Sequence, residues 1–349
     1  MNSYEKSVQE HEAELNDHNA DGDAKIRKLS IETLDSQHSD LFVRALDRVI
    51  STDLAKLTYA QIVDGLPLID TVNDNMAGGL SNGHPLYDMH ESLCDGVMER
   101  TEEIRATFDP KELKFDSRLI YAYQSASPGS QVFRMRLIEI IAIAVHQIAA
   151  ILFKRDTSLH KNDGITEWVP PKEDIVFWQF LPNGPLPTLF HHPCYTDYDQ
   201  YPDGVADMVG YWAESRIIGG VVLFDRGTPD RKPDTDAVFL HPDREEVTYR
   251  IYRLLESQKK QLLDFLLSDT PGPSPFPILA SMENTHRVDP EDDIDETGVY
   301  RDIWERKPLP PDCPDGRLHC VWDPFNFPSW DEWQEAKWRC RERRSRPYY

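Results

Sequence analysis

A chain containing Arg118–Phe153, RLIYAYQSASPGSQVFRMRLIEIIAIAVHQIAAILF, must build its core around that run. From Val132 to Phe153 apolar residues occupy nearly every helical face, interrupted by Arg134 and Arg136 near its start and then by Glu139, His146 and Gln147. A helix of that kind is buried on most sides. It is too short and too polar in its middle to read as a membrane span. Just before it, Leu119–Tyr123 is a short apolar run, which predicts a strand covered on both faces. Between the two lies Gln124–Gln131, with three hydroxyls, Ser125, Ser127 and Ser130, around Pro128-Gly129. Reactive groups in open α/β sheets sit at such strand-to-helix loops. The plainer reading is that a serine there caps the helix.

The rest of the chain extends this pattern. Residues 1–28 are polar and predict a disordered tail. Ser39 before DLFVRALDRVI predicts a capped amphipathic helix, with Leu41, Val43, Leu46, Val49 and Ile50 inward. Asn73–Gly83 reads as a loop and Leu86–Thr107 as a helix, on the spacing of Met89, Leu93, Val97 and Ile104. Ile175–Leu181 (IVFWQFL) predicts a second strand, stopped by the Pro-Asn-Gly-Pro turn. Val205–Ile217 predicts a helix ended by Gly219-Gly220, and Val221–Phe224 a strand that pairs with Ala237–Leu240. Glu245–Leu267 predicts an amphipathic helix before the break at Pro271–Pro277. The domain reading is therefore a tail at 1–28, an α/β domain over 29–270, an irregular Pro- and aromatic-rich segment over 271–335, and a basic tail over 336–349. The aromatic segment, with Trp304, Trp322, Phe325, Phe327, Trp330, Trp333 and Trp338, is expected to wrap the preceding domain.

Charge narrows the function classes. The 349 residues carry a formal net charge of -23. That argues against nonspecific duplex DNA binding, which depends on neutralising phosphates. The dense basic run at the end (Lys337, Arg339, Arg341, Arg343, Arg344, Arg346) is the place where RNA phosphates could be attracted. Five scattered cysteines without a CxxC pair, and no N-terminal apolar segment, predict a cytoplasmic protein with reduced thiols. His191, His192 and Cys194 lie together, but zinc sites need a second ligand pair at set spacing. Cys313, His319 and Cys320 are a poor second pair, so the sequence predicts no metal.

Two stretches carry candidate chemistry. On the Val205–Ile217 helix, Asp207, Tyr211 and Glu214 share a face. A Tyr and two carboxylates there can bind a cation or move protons; as a solvated face they do neither. Further on, Asp292-Asp293-Ile294-Asp295-Glu296 crowds carboxylates that repel unless a cation relieves them. That cation can be Mg2+, a protein Lys or Arg, or a substrate guanidinium gripped in bidentate fashion.

The Asp292-Asp293-x-x-Glu296 motif resembles that of the fungal arginine-containing cyclodipeptide synthases. The segment Leu119–Phe153 also resembles the start of the bacterial cyclodipeptide synthases. The resemblance implies a Rossmann-like parallel sheet flanked by helices, similar to class I aminoacyl-tRNA synthetase catalytic domains, with an irregular C-terminal extension. It implies that arginyl-tRNA and a second aminoacyl-tRNA are substrates, joined into a cyclic dipeptide for downstream tailoring enzymes of secondary metabolism. No cofactor, DNA or membrane is implied, and the sequence has no GxxxxGK[ST]. Asp292, Asp293 and Glu296 are implied as catalytic, with the grip on arginine as their expected role. A serine ester is implied too, with Ser127 and Ser130 preferred and Ser125 nearby. Tyr211 and Glu214 are the candidates for deprotonating the amines, and Asp207 for binding substrate. Two other classes remain open. An all-helical terpene-synthase-like enzyme would use the acidic motif to bind Mg2+ and diphosphate, and a non-catalytic protein would use the aromatic segment to bind a partner.

Overall fold

The computed structural model describes residues 27–75, 80–81, 83–155, 158–160, 163–307 and 323–345. The predicted tail at 1–28 lies almost wholly outside them, as do Cys313, His319, Cys320, Trp322 and Arg346. In chain order the elements are β1 (Lys28–Ser30), α1 (Ser36–Ile50), α2 (Asp53–Asp64), α3 (Ile69–Asn73), α4 (Leu86–Met89), α5 (Val97–Thr107), β2 (Lys114–Asp116) and α6 (Ser117–Ser125). Then follow α7 (Gln131–Lys154), α8 (Ile175–Phe180), α9 (Val205–Ile218), β3 (Val221–Asp225), β4 (Val238–His241), β5 (Ile251–Arg253), α10 (Glu256–Leu267), β6 (Arg287–Val288), α11 (Ile294–Thr297), β7 (Val299–Tyr300) and α12 (Trp330–Ser345).

The apolar helix α7 is the hub, packed against α1, α2, α6, α9 and β3. It alone among the described residues has the length and composition to cross a membrane, and most of it is buried inside the protein. Behind it stands a five-stranded sheet in the order β6-β5-β4-β3-β7. The protein is thus α/β, but every pairing in this sheet is antiparallel, where a parallel sheet was expected. The physical reason lies in how the sheet is covered. Val222, Phe224, Val238, Leu240 and Tyr252 face the helical core. The alternate residues Val221, Leu223, Phe239 and Ile251 pack under Tyr195, Tyr201, Met208 and Tyr211. With both faces covered, an antiparallel strand reads as continuously apolar, as a parallel one does.

Two predicted strands are helices instead. Leu119–Tyr123 belongs to α6, capped by Asp116, whose carboxylate accepts from the Arg118 N–H at 2.7 Å. Leu119, Ile120 and Tyr123 are buried while Tyr121 is 61% exposed, a helical spacing and not a two-sided strand. Ile175–Leu181 likewise forms α8, capped by Asp174, with Ile175 and Val176 in solvent. Short apolar runs do not by themselves distinguish the two. Asp35, not Ser39, caps α1, and Val43 is exposed while Phe42 and Ala45 join Leu46, Val49 and Ile50 in the core. The predicted Leu86–Thr107 helix breaks into α4 and α5, because His90 leaves helical geometry and Gly96 takes a left-handed φ of 82°. Glu245–Leu267 divides into β5 and α10, where the Gln258 side chain accepts from the Leu255 N–H. Strands β3 and β4 pair as predicted, Val221 opposite His241 and Phe224 opposite Val238.

The segment after Pro271 supplies both edges of the sheet, β6 and β7. Phe327, Trp333 and Ala336 pack on Tyr249, while Phe325, Trp330 and Trp338 stay exposed. Helix α12 is pinned by the buried Arg250, which bonds Asp289 at 2.6 Å and Glu332 at 2.5 Å.

Helices α7 and α9 approach unusually closely because α9 carries Gly210 at the crossing. A Cβ there would lie 2.4 Å from the His146 ring. Gly210→Ala is therefore expected to destabilise the fold by about 1–3 kcal/mol, the usual range for overpacking. A urea midpoint equal to the wild type would contradict this packing.

Candidate functional site

The chain from Asp289 to Lys307 forms one continuous polar structure. Its acidic turn starts as Asp293 O accepts from the N–H groups of Glu296 and Thr297, both at 3.0 Å. Gly298 then closes α11 in the left-handed region at φ 68°, where a Cβ would meet the Gly227 carbonyl oxygen at 2.4 Å. Only glycine fits there. From that point β7 runs antiparallel along β3, with Val299 opposite Asp225.

Immediately after β7, Arg301 turns into the core and grips Glu214 of α9 through both carboxylate oxygens, at 2.7 and 2.8 Å. Glu214 also accepts from the Val222 N–H at 2.6 Å. Beside it His146 reaches Asp207 through Nε2 at 3.0 Å and faces Glu214 through Nδ1 at 3.7 Å. Tyr211 lies edge-on to His146 and under the Arg301 guanidinium. Asp207, Tyr211 and Glu214 do share a face, and that face is buried. Burial pushes the Glu214 carboxyl up, but Arg301 and His146 hold it below the ordinary value of 4.5. Asp207 is held low in the same way by His146 and the Asp203 N–H. His146 stands above 6.5, since its two carboxylates outweigh burial. Burial pushes the Tyr211 hydroxyl well above 10.

The acidic turn opens outward from this network. Pro290, Glu291, Asp292, Asp293, Ile294 and Asp295 line a pocket together with Arg306 and Lys307. It holds about 360 Å³, part of it open to solvent. Arg306 is buried, donates to Val299 O at 2.9 Å and to Pro290 O at 3.4 Å, and lies 3.4 Å from Glu305. Burial raises the Glu305 carboxyl above its ordinary value against the pull of Arg306. Lys307 pairs with Asp199 at 2.8 Å. Asp292 faces Arg339 of α12 at 3.4 Å. Of the sequence candidates, Asp292 and Asp293 line the pocket, whereas Glu296 is exposed and is not among its lining residues. Glu291, Asp295, Arg306 and Lys307 were missed. The repeating carboxylates marked the turn, but nothing local in sequence joins it to the two cations.

The serine loop stands apart from this pocket. Ser130 caps α7, accepting from the Phe133 N–H at 3.2 Å, while Ser125 and Ser127 are exposed. The neighbouring groove is lined by Gln131, Arg134, Asp236, Glu256, Lys259 and Lys260 among others, and shares no residue with the acidic pocket. His191, His192 and Cys194 do not converge on an ion. His192 Nδ1 accepts from the Cys194 N–H at 3.1 Å and its Nε2 faces His241 O at 3.2 Å. Burial lowers the His192 pKa to about 4. The described residues that do converge as metal ligands are Asp64, His90, Cys94 and His160. No protein-family model matches this chain, and comparison with curated proteins and with solved structures gave no match.

The buried network sets the pH range of the fold. A carboxylate held below its unfolded value adds stability above that value, and loses it as pH falls through the folded one. The contributions of Glu214 and Asp207 are thus complete above about pH 4.5 and 3.8 and are lost as pH falls below those values. A histidine held high works the other way. The contribution of His146 is complete below pH 6.5 and is lost as pH rises through its raised value. His146 therefore gives the urea midpoint a fall above pH 6.5, while the neutral buried His192, which is held at about 4 and charges more readily unfolded, adds a fall below pH 6.5. His146→Gln should remove the alkaline fall, and Glu214→Gln, which takes the bidentate partner from the buried Arg301 and leaves it Asp302 at 3.3 Å, should cost about 3–5 kcal/mol.

Proposed function

We propose that this protein is a tRNA-dependent cyclodipeptide synthase that uses arginine, with the acidic turn as its arginine site. The observation that carries the reading is the pocket lined by Asp292, Asp293 and Asp295 together with Arg306 and Lys307. An arginyl ester has matching chemistry. Its guanidinium suits paired carboxylates, which bind it in bidentate fashion, and its carbonyl develops negative charge during transfer, which suits a cation.

Each substrate arrives activated, so the reaction needs two displacements and no ATP. The α-amine of one aminoacyl group attacks the ester carbonyl of the other. The new C–N bond replaces the ester C–O bond, and the ribose oxygen leaves on its tRNA with the amine proton. The remaining free amine then attacks the remaining ester, closing the ring and releasing the second tRNA. Free α-amines titrate at about 7.7–8.0, so a useful fraction is neutral near pH 7 without a strong base. In this mechanism Tyr211 and Glu214 position β7 and the acidic turn from behind, and Asp292 and Asp293 hold substrate. The arrangement supports the arginine-specific part of the resemblance. It gives less support to an acyl-serine on a parallel sheet, and direct transfer between the two esters is the route proposed here.

The test is expression in a host that supplies charged tRNAs, with heavy arginine fed and the medium examined by mass spectrometry. A cyclic dipeptide carrying the label is expected, and its absence from cultures containing soluble folded protein sinks the proposal. Charge-assisted hydrogen bonds are worth about 1.5–3 kcal/mol each. Asp292→Asn with Asp293→Asn should therefore lower product by about 10²–10⁴-fold, with circular dichroism unchanged. Ser130→Ala is expected to lose about 1 kcal/mol of stability as a missing helix cap, with product per folded molecule retained. Ser127→Ala should retain product as well; loss of product there would instead establish the serine ester.

A further inference from the structure

Far along the chain from the acidic turn, four side chains from three segments point at one centre. Asp64 ends α2, His90 and Cys94 flank the break between α4 and α5, and His160 sits in the loop after α7. Their donor atoms all lie within 4.8 Å of one another. His90 Nε2 is 3.1 Å from Asp64 Oδ2, Cys94 Sγ is 3.2 Å from His160 Nε2, and His160 Nε2 is 3.6 Å from Asp64 Oδ1. Ligands of a tetrahedral zinc ion with bonds of about 2.0–2.3 Å stand roughly 3.3–3.8 Å apart. The cluster already has close to that size.

The outer contacts make the case independently of the cluster. His90 Nδ1 faces the Pro67 carbonyl at 3.0 Å, and His160 Nδ1 faces the Asp163 carboxylate at 2.8 Å. Each partner is an acceptor, so each Nδ1 carries the proton and each Nε2 can present its lone pair to the centre. This is how metal-binding histidines are oriented. Asp64 is fully buried, and its Oδ1 has no hydrogen-bond partner although it points into the cluster. Its Oδ2 is fixed by the Cys94 N–H at 2.9 Å. The backbone has been shaped to the same end. Asp64 O accepts from the Leu159 N–H at 2.9 Å and from Ser158 Oγ at 3.1 Å, and Ser158 Oγ accepts from the His160 N–H at 3.0 Å. Gly65, at φ 107°, leaves room for Ser158, whose Oγ would lie 1.7 Å from a Cβ.

We propose that Asp64, His90, Cys94 and His160 form a zinc site. Two imidazoles, one thiolate and one carboxylate suit zinc better than a hard cation such as Mg2+ or Ca2+. Four protein ligands fill a tetrahedron, so the site is structural. It fastens the loop after α7 to the end of α2 and to the α4–α5 break, three segments that also meet through the small apolar cluster of Leu66, Ile69, Leu86 and Ile165. This takes the place of the expectation from sequence that the protein holds no metal.

Untagged full-length protein, purified from zinc-supplemented culture and exhaustively dialysed, is expected to carry one zinc per chain by plasma mass spectrometry. Occupancy should fall below about a tenth in Cys94→Ser/His160→Ala, and Asp163→Asn should weaken binding by about 10–100-fold. Replacing zinc with cobalt in the wild-type protein should give the intense visible bands of a tetrahedral centre and a near-ultraviolet thiolate-to-cobalt band. This reading does not depend on the double variant folding. Cys94→Ser alone should lose the thiolate band. Wild-type protein without stoichiometric zinc, zinc retained undiminished in the double variant, or a cobalt spectrum without a thiolate band each overturns the proposal and leaves a hydrogen-bonded cluster only.

Discussion

Burying the Glu214 carboxylate beside the Arg301 guanidinium is the interaction on which the rest of this structure depends. Neither group could enter the core alone, since removing a single charge from water costs several kcal/mol. Together, with His146, Asp207 and the Val222 N–H as further partners, they are satisfied. The pair joins elements distant in the chain. Glu214 comes from the middle of α9, His146 from α7, and Arg301 from the residue after β7. Because Arg301 must reach Glu214, β7 must lie along β3, and the acidic turn just before β7 is placed with it.

The sheet accounts for the remaining order. Its centre is β3 and β4, adjacent in sequence, and its edges are β6 and β7, which come from beyond the Pro-rich break. An edge strand with free N–H and C=O groups is a liability, and late-coming strands on both sides protect the centre. Residues 271–307 therefore belong to the sheet as much as β3 to β5 do. Arg250 extends the arrangement outward. Fully buried, it holds Asp289 on β6's following turn and Glu332 on α12, so the C-terminal helix rests on the same polar framework as the acidic pocket.

Electrostatics gives the two sites opposite characters. At the acidic turn Glu291, Asp292, Asp293 and Asp295 stand against Arg306 and Lys307 around a space open to solvent, which suits a ligand that comes and goes. At Asp64 the donors are enclosed, oriented by an outer ring of acceptors and joined to the backbone of three segments, which suits an ion that stays. The cation proposed for each set of carboxylates differs accordingly, a guanidinium in one case and a metal in the other.

The sequence by itself determined what depends on local periodicity. Helix α7 is where its nearly continuous apolar run puts it, α9 ends at Gly219 where only a left-handed residue closes a helix cheaply, and the β3–β4 pair follows from two apolar strands with a polar turn between. The run of carboxylates at Asp292–Glu296 marked a charged turn, and Asp207, Tyr211 and Glu214 shared a face as their spacing requires. Only the tertiary structure decided the rest. Whether Leu119–Tyr123 is strand or helix depends on which side chains find a partner, and Tyr121 found none inside. Strand direction is invisible in a sequence when both faces of a sheet are covered. The convergence of Asp64, His90, Cys94 and His160 spans almost a hundred residues, and that of Asp292 with Arg306 depends on how β7 is anchored. Such contacts are set by packing between segments, and no spacing rule along the chain contains them.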